Sequence, residues 1–370
     1  MDKFYDVVII GAGPAGMGCA VELMKNGVSP CVIDKAVFPR KKTCAGLVTG
    51  KTYKLIEGIF DGRDTDGLFC FTSSRVRLFQ RNRELVSAQP TNAVRLVNRD
   101  VFDNALVERY RALGGVILEG ERDHEIDYDG RRIKLSGGDT IGYKYIVFAD
   151  GALSRSHKLL KIDKSRMACG IEVYVPSDVY YTDSVDLYFD YLKDGYIWVF
   201  PHGDTVCIGA ASLFDRKLNY KDILSEFVAD LGVDICGRKL IGAFLPYGYV
   251  IPQQKLADNI LLVGDAGGFA DPISGEGLYM ALETGAQAAR ALLTDKPKQT
   301  YMKSVKPLIK TINDGRSLQK MFYTPTVQKA FFSKVRGRSD AVEFFFDNLV
   351  EEYRFGYLKA LSMYKGYKNR

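Results

Sequence analysis

Histidine and tryptophan are scarce in this chain of 370 residues, which has three of the first (His124, His157, His202) and one of the second (Trp198). The histidines share no spacing, which argues against a metal centre or a catalytic triad, and no metal is expected. The seven cysteines (Cys19, Cys31, Cys44, Cys70, Cys169, Cys207, Cys236) are odd in number and form no CxxC pair. That argues against a disulfide framework or zinc site and fits reduced thiols in a cytoplasm. Low-complexity segments and internal repeats are absent, and no nucleic-acid partner is expected. The apolar start, MDKFYDVVIIGAGPAG, carries Asp2 and Asp6 and is rich in glycine. It reads as neither a signal peptide nor a membrane span. With 46% hydrophobic and 26% charged residues, the chain is globular, one large domain or two ordinary ones.

Negative charge is what the C-terminal fifth lacks. Residues 295–370 hold 16 Lys and Arg against 7 Asp and Glu, while the first 294 residues hold 35 against 38, so the whole net charge of +6 originates in the tail. The tail also holds 13 of the 44 aromatic residues. Two readings follow: a solvated helical lid, or a basic and aromatic surface for an anionic membrane or lipid head group.

FYDVVIIGAGPAGMGCAVELMKNGVSPCVIDK carries a continuous apolar run, Val7 to Ile10, then Gly11, Gly13 and Gly16 in G-x-G-x-x-G spacing. A helical stretch follows, then a second strand ending at Asp34. The first glycine permits a tight turn, the second lets a diphosphate approach the backbone, and the third lets helix pack on strand. The diphosphate then sits at the helix N-terminus, Pro14, Ala15 and Gly16, where the free N–H groups that follow the proline and the helix dipole favour anions. Asp34, followed by Lys35, can accept from ribose hydroxyls. This arrangement specifies a dinucleotide but does not choose between NAD and FAD. No second such fingerprint exists for NAD(P)H, so an electron donor docks transiently or is a protein such as ferredoxin.

Three later stretches choose. YIVFADGALSRS ends a strand at Asp150 and Gly151. NILLVGDAGGFADPISGEGLYMALETGAQAARALL gives a strand, Asp265, a glycine-rich turn and a long helix of small residues. NRDVFDNAL puts Arg99 at a helix start. Together they resemble the FAD-binding signature of glutathione-reductase-type flavoproteins, in the branch with aromatic hydroxylases, flavin halogenases and geranylgeranyl reductases. Asp265 can bind a ribityl hydroxyl, and the turn from Gly275 through Gly277 to Leu278 offers N–H groups to the flavin's pyrimidine edge.

FPRKKTCAGL and GYIWVFP narrow the resemblance. The first is similar to the Pro-Arg-x-Lys-x-Cys-Gly-Gly-x-Leu segment, and the second to the Tyr-x-Trp-x-Phe-Pro motif, of geranylgeranyl reductases. The resemblance spans roughly residues 1–290. Ala45 replaces the usual first glycine after the cysteine, and His157 stands where a second basic residue often follows Asp-Gly. The resemblance places Cys44, Ala45 and Gly46 beside the flavin ring. Cys44 follows Arg40, Lys41 and Lys42, neighbours that raise thiol reactivity. It can donate a proton to one alkene carbon while flavin delivers hydride to the other, or only shape the pocket. His202 is a minor acid–base candidate.

In an extended strand Tyr196, Trp198 and Phe200 share one face, closed by Pro201. The face packs in a core, or lines an apolar substrate cavity ending at the flavin. The expected fold is α/β: a Rossmann-type FAD domain (residues 1–72, 96–165, 255–295) interleaved with an antiparallel-sheet substrate domain (73–95, 166–254), plus C-terminal helices (296–370). The expected activity is FAD-dependent reduction of C=C bonds in a prenyl or other apolar lipid-like substrate, with Cys44, Tyr196 and Trp198 at the reacting centre. The alternatives are a flavin monooxygenase or halogenase-like enzyme acting on an aromatic or polyketide-like substrate, and a non-catalytic flavoprotein. The expected location is cytoplasmic, peripheral to an anionic membrane if the tail binds one.

Overall fold

The computed structural model describes residues 3–122, 124–162, 167–213, 215, 218–246 and 248–347. The first sheet runs in the order β8 (Val116–Leu118), β2 (Cys31–Ile33), β1 (Lys3–Ile10), β11 (Thr140–Phe148), β10 (Arg132–Lys134), β9 (Glu125–Asp127), with β17 (Ile260–Leu262) also pairing with β11. The strands around β1 are parallel, and β9–β10–β11 form an antiparallel meander. Val7 to Ile10 are buried on both faces, which explains their unbroken apolar run.

Helix α1 (Pro14–Lys25) crosses α5 (Leu278–Leu292) with backbones almost touching. A Cβ on Gly285 would lie 2.2 Å from the Ala15 carbonyl oxygen, and one on Gly18 would lie 2.9 Å from that of Leu282. The small residues of both helices therefore serve close packing. Helices α2 (Gly50–Ile59) and α3 (Arg99–Ala112) join this layer.

The second sheet runs β16 (Ile241–Pro246), β12 (Met167–Pro176), β15 (Thr205–Leu213), β14 (Gly195–His202), β13 (Val185–Phe189), β5 (Val76–Gln80), β6 (Arg83–Ala88). Every pairing is antiparallel except β5 with β13, where the β5–β6 hairpin, reached from the first domain, joins the edge in parallel. A small sheet of β3 (Leu47–Val48), β7 (Val94–Leu96) and β4 (Phe71–Ser73) ties the two domains together. One face of the second sheet packs on α4 (Tyr220–Asp230) through Val173, Ile197, Val199, Leu224 and Phe227.

The opposite face carries Trp198 and Phe200 and is covered by the tail. The tail forms α6 (Pro297–Ser304), α7 (Lys306–Phe322), α8 (Pro325–Val335) and α9 (Ser339–Phe345), broken at Val305, at Tyr323–Thr324 and around Gly337. Phe322, Phe331, Phe332 and Phe346 pack inward, while Lys329, Lys334 and Arg336 face solvent. Arg338 is paired with Asp340 at 2.5 Å. Residues 348–370, the last part of the expected helical tail, lie outside the described residues. Among the described residues no helix is long and apolar enough to cross a membrane.

Candidate active site

The glycine-rich turn shows which of its glycines the protein itself needs. Gly11 has φ +107°, and a Cβ there would lie 2.5 Å from the Ala149 carbonyl oxygen. A Cβ on Gly16 would lie 1.8 Å from the Gly11 oxygen. Gly13 differs: its φ of −73° suits any residue, and its Cβ would meet only the Arg40 guanidinium at 3.3 Å. The fold makes no steric demand for glycine there, which leaves close approach by a ligand as the reason for it. The α1 N-terminus has no side-chain cap, so its first N–H groups are free for an anion. Asp34 braces the turn, accepting from Ala12 N–H (2.6 Å) and Ala36 N–H (2.8 Å). Asp150, at the end of β11, accepts from Arg155 N–H at 2.8 Å, and its Oδ1 is buried without a partner in the protein. An uncapped helix, an unexplained glycine and an orphaned carboxylate oxygen at neighbouring strand ends all fit FAD.

A second set of residues adjoins this turn through Arg40. Asp103, fully buried, takes a bidentate contact from Arg99 (2.8 and 2.9 Å) and an ion pair with Arg40 at 3.1 Å. Burial disfavours the Arg99 charge, but Asp103 and Cys44 more than offset this and its pKa is raised. Burial lowers the pKa of Lys42 while Asp265 pulls it up, and burial raises that of Asp265 against Lys42 and Arg99. Cations and carboxylates thus meet around Cys44 and Asp265, at the junction of the two domains. The α5 N-terminus is also uncapped by a side chain. The turn before it is held by Glu276, which pairs with Lys51 at 2.5 Å and accepts from Thr49 at 2.8 Å. Gly275, at φ +70°, lies against Tyr196, whose hydroxyl donates to the Ser274 carbonyl at 2.6 Å.

The loop carrying Cys44 is clamped by His202. Its Nε2 is 2.9 Å from the Ala45 carbonyl, which can only accept, so Nε2 donates. Burial lowers the His202 pKa, and Nδ1 of the neutral ring faces Asn98 (2.9 Å) and the Cys70 thiol (3.5 Å). Both ring nitrogens are engaged in holding the loop, and a Cβ on Gly46 would lie 2.9 Å from the His202 ring. His157, the other departure from the family pattern, contacts the Ala266 carbonyl at 2.9 Å and joins the Asp150 element to the Asp265 turn.

Sheet register sets the rest. Trp198 and Glu172 both lie opposite Gly209, so β14, β15 and β12 present them on one face. A Cβ on Gly209 would lie 2.1 Å from the Trp198 ring, so this glycine makes room for the indole. Trp198 donates its N–H to Cys207 Sγ at 3.4 Å. Glu172, 1% exposed, accepts from the Cys44 N–H at 3.3 Å, and its other oxygen faces the Cys207 thiol at 3.9 Å. Burial pushes the Glu172 carboxyl up to about 7, against the pull of the Cys44 N–H, Lys42 and Arg99.

Cys44, Arg99, Asp265, Gly275 and Tyr196 therefore gather at the domain junction. Gly11, Gly13, Pro14, Ala15, Gly16 and Asp34 form the adjoining glycine-rich turn, where Ala15 lies against Gly264, with Lys35 exposed beside them. Phe200 and Pro201 are buried further along the sheet. Lys42 and Glu172 were not singled out by the sequence as site residues. A lone acid in the apolar strand ACGIEVYVP is the signal for Glu172.

Comparison with known proteins agrees with this geometry. The FAD binding domain family matches residues 4–200. An uncharacterized protein of Methanosarcina barkeri is 31% identical over 294 residues, covering 78% of this chain and 75% of that protein. The digeranylgeranylglycerophospholipid reductase of Methanococcus aeolicus is 25% identical over 370 residues, covering 93% and 91%. A geranylgeranyl bacteriochlorophyll reductase-like structure from Thermoplasma acidophilum superposes with a TM-score of 0.78 at 18% identity, covering 98% of this chain and 96% of that one. Fold, cleft and relatives define a flavoprotein with a dinucleotide-binding domain that takes FAD. The chain belongs to the FAD binding domain family and is an FAD-dependent oxidoreductase similar to the geranylgeranyl reductases.

Proposed function

We propose that this enzyme reduces C=C bonds of a prenyl, geranylgeranyl-like or other apolar unsaturated chain. The observation that carries the reading is the placement of Cys44. Its loop is fixed by His202, neighbours Arg99 and Lys42, and lies at the end of the face formed by Tyr196, Trp198 and Phe200. FAD, when bound and reduced, supplies a hydride. The protein's part is to hold the alkene by contact area against the rings, exclude water, and present the Cys44 thiol as proton donor.

Gly11, Gly13, Pro14, Ala15, Gly16, Asp34, Lys35, Arg99, Asp150 and Gly151 would hold the adenosine diphosphate half. Asp265, Gly275, Gly277, Leu278 and the Cys44–Gly46 loop would meet the flavin half. NAD(P)H or a ferredoxin-like protein supplies electrons by transient docking. The rival reading, a monooxygenase or halogenase-like enzyme, is separated by oxygen uptake. A C=C reductase turns over anaerobically with a chemical reductant, whereas substrate-dependent oxygen consumption would favour the rival.

The tail serves first as a lid over the aromatic face. Lys329, Lys334 and Arg336 are among its outward charges that would meet anionic lipid, each contributing about 1 kcal/mol at most and screened by salt. Flotation with anionic but not neutral vesicles, reversed by salt, is the expected result. Absence of binding at low salt would leave the tail as a lid alone.

A further inference from the structure

We infer that Glu172 is the proton reservoir and positioning residue for Cys44, an inference that rests on reading Cys44 as the proton donor. The geometry is specific. Glu172 lies on the same sheet face as Trp198, buried, with one carboxyl oxygen on the Cys44 backbone N–H and the other toward Cys207. Neither contact is with a cation, although a buried carboxylate is costly unless it is paired. A carboxylic acid kept neutral at the start of each cycle resolves that cost, and burial already pushes this carboxyl up to about 7.

The groups facing Glu172 are Lys42 and Cys44 on the loop, Arg99 on α3, Cys207 on β15 and Tyr174 on its own strand. Lys42 and Arg99 favour its charged form. Tyr174 and Cys207 are both held protonated by burial. Burial brings the Glu172 carboxyl to about 7, so it can release a proton near neutral pH.

The alkene receives a hydride from the reduced cofactor at one carbon and the proton of the Cys44 S–H bond at the other, leaving a thiolate. The Glu172 O–H bond then breaks, its proton restores the thiol, and the carboxylate regains a proton from water. Above about pH 7 the carboxylate opposes thiolate formation at Cys44; below it, the neutral acid does not.

The test reads the thiol rather than turnover. FAD-loaded wild-type protein and Glu172→Gln are alkylated with iodoacetamide across pH. Cys44 is followed by peptide mass spectrometry, with exposed Cys236 as internal reference. The amide keeps the acceptor for the Cys44 N–H but cannot titrate. Cys44 of the variant should alkylate about 10-fold faster at pH 8, the effect of about one pKa unit from removing a like charge, with Cys236 unchanged. In the wild type the Cys44 profile should bend near pH 7, which needs no variant. Identical Cys44 profiles in the two proteins, or a wild-type profile with no bend, would overturn the inference. If the alkylation results hold but Cys44→Ser retains full turnover, it is the proton-donor reading of Cys44 that fails, while the coupling of Glu172 to the thiol stands.

Discussion

Replacing Gly13 with alanine separates what the fold needs from what the cofactor needs. Gly13 caps α1 with φ −73°, a conformation alanine adopts, and the added methyl would meet only the flexible end of Arg40 at 3.3 Å. The loss of stability should therefore be small, about 0.5–1 kcal/mol for a poorer helix cap. A diphosphate seated against the backbone would meet the same methyl directly. Forcing one extra carbon into a close-packed contact costs about 1–3 kcal/mol, so FAD affinity should fall roughly 30-fold for a central value near 2 kcal/mol. Gly16→Ala is the control, because its Cβ would overlap the Gly11 oxygen at 1.8 Å and the turn itself should fail. The assay is FAD titration of apoprotein by flavin fluorescence, beside thermal melts of the same samples. Full FAD affinity in a well-folded Gly13→Ala protein would refute the assignment of this turn to the diphosphate.

Three other outcomes are expected. Cys44→Ser should keep FAD and still allow flavin reduction while alkene reduction falls by roughly 100-fold, the usual scale for a lost general acid; unchanged turnover would reduce Cys44 to packing. Trp198→Ala removes a buried indole whose N–H meets Cys207 and should cost about 3–5 kcal/mol while altering substrate chain-length preference. Wild-type melting with unchanged substrates would show that the ring neither packs nor selects. Glu172 also links stability to pH. Its carboxyl is raised from 4.5 to about 7 on folding, so the folded state holds the proton more tightly. The penalty is absent below pH 4.5, grows as pH rises through 7 and levels off at about 3 kcal/mol. Melts of wild type against Glu172→Gln at pH 5 and pH 8 should show the variant gaining relative stability at pH 8, and a constant difference would contradict the shift.

The dinucleotide half was legible because its demands are local. A strand buried on both faces must be continuously apolar, and Gly11 and Gly16 meet backbone within one turn, so spacing alone reports them. The aromatic face was legible for a similar reason, since alternation puts Tyr196, Trp198 and Phe200 on one side. What covers that face was not legible. An amphipathic tail has the same pattern whether its rings meet a sheet or a membrane, and only the packing of Phe322, Phe331 and Phe332 shows them turned inward. Glu172 escaped because its meaning depends on register, through Gly209, with a strand beyond its nearest neighbour. The role of His202 likewise depends on Ala45, 157 positions away, which no local spacing encodes.

The central claim is that the reduced enzyme gives its electrons to an isolated C=C bond. Its most direct test is anaerobic mixing of the chemically reduced protein with a geranylgeranyl-chain lipid, following the visible absorbance of oxidised flavin and the mass of the lipid. The account predicts that the flavin reoxidises as the lipid gains two hydrogens for each flavin. A flavin that stays reduced with every prenyl chain offered, yet reoxidises with oxygen and leaves a hydroxylated product, would contradict it.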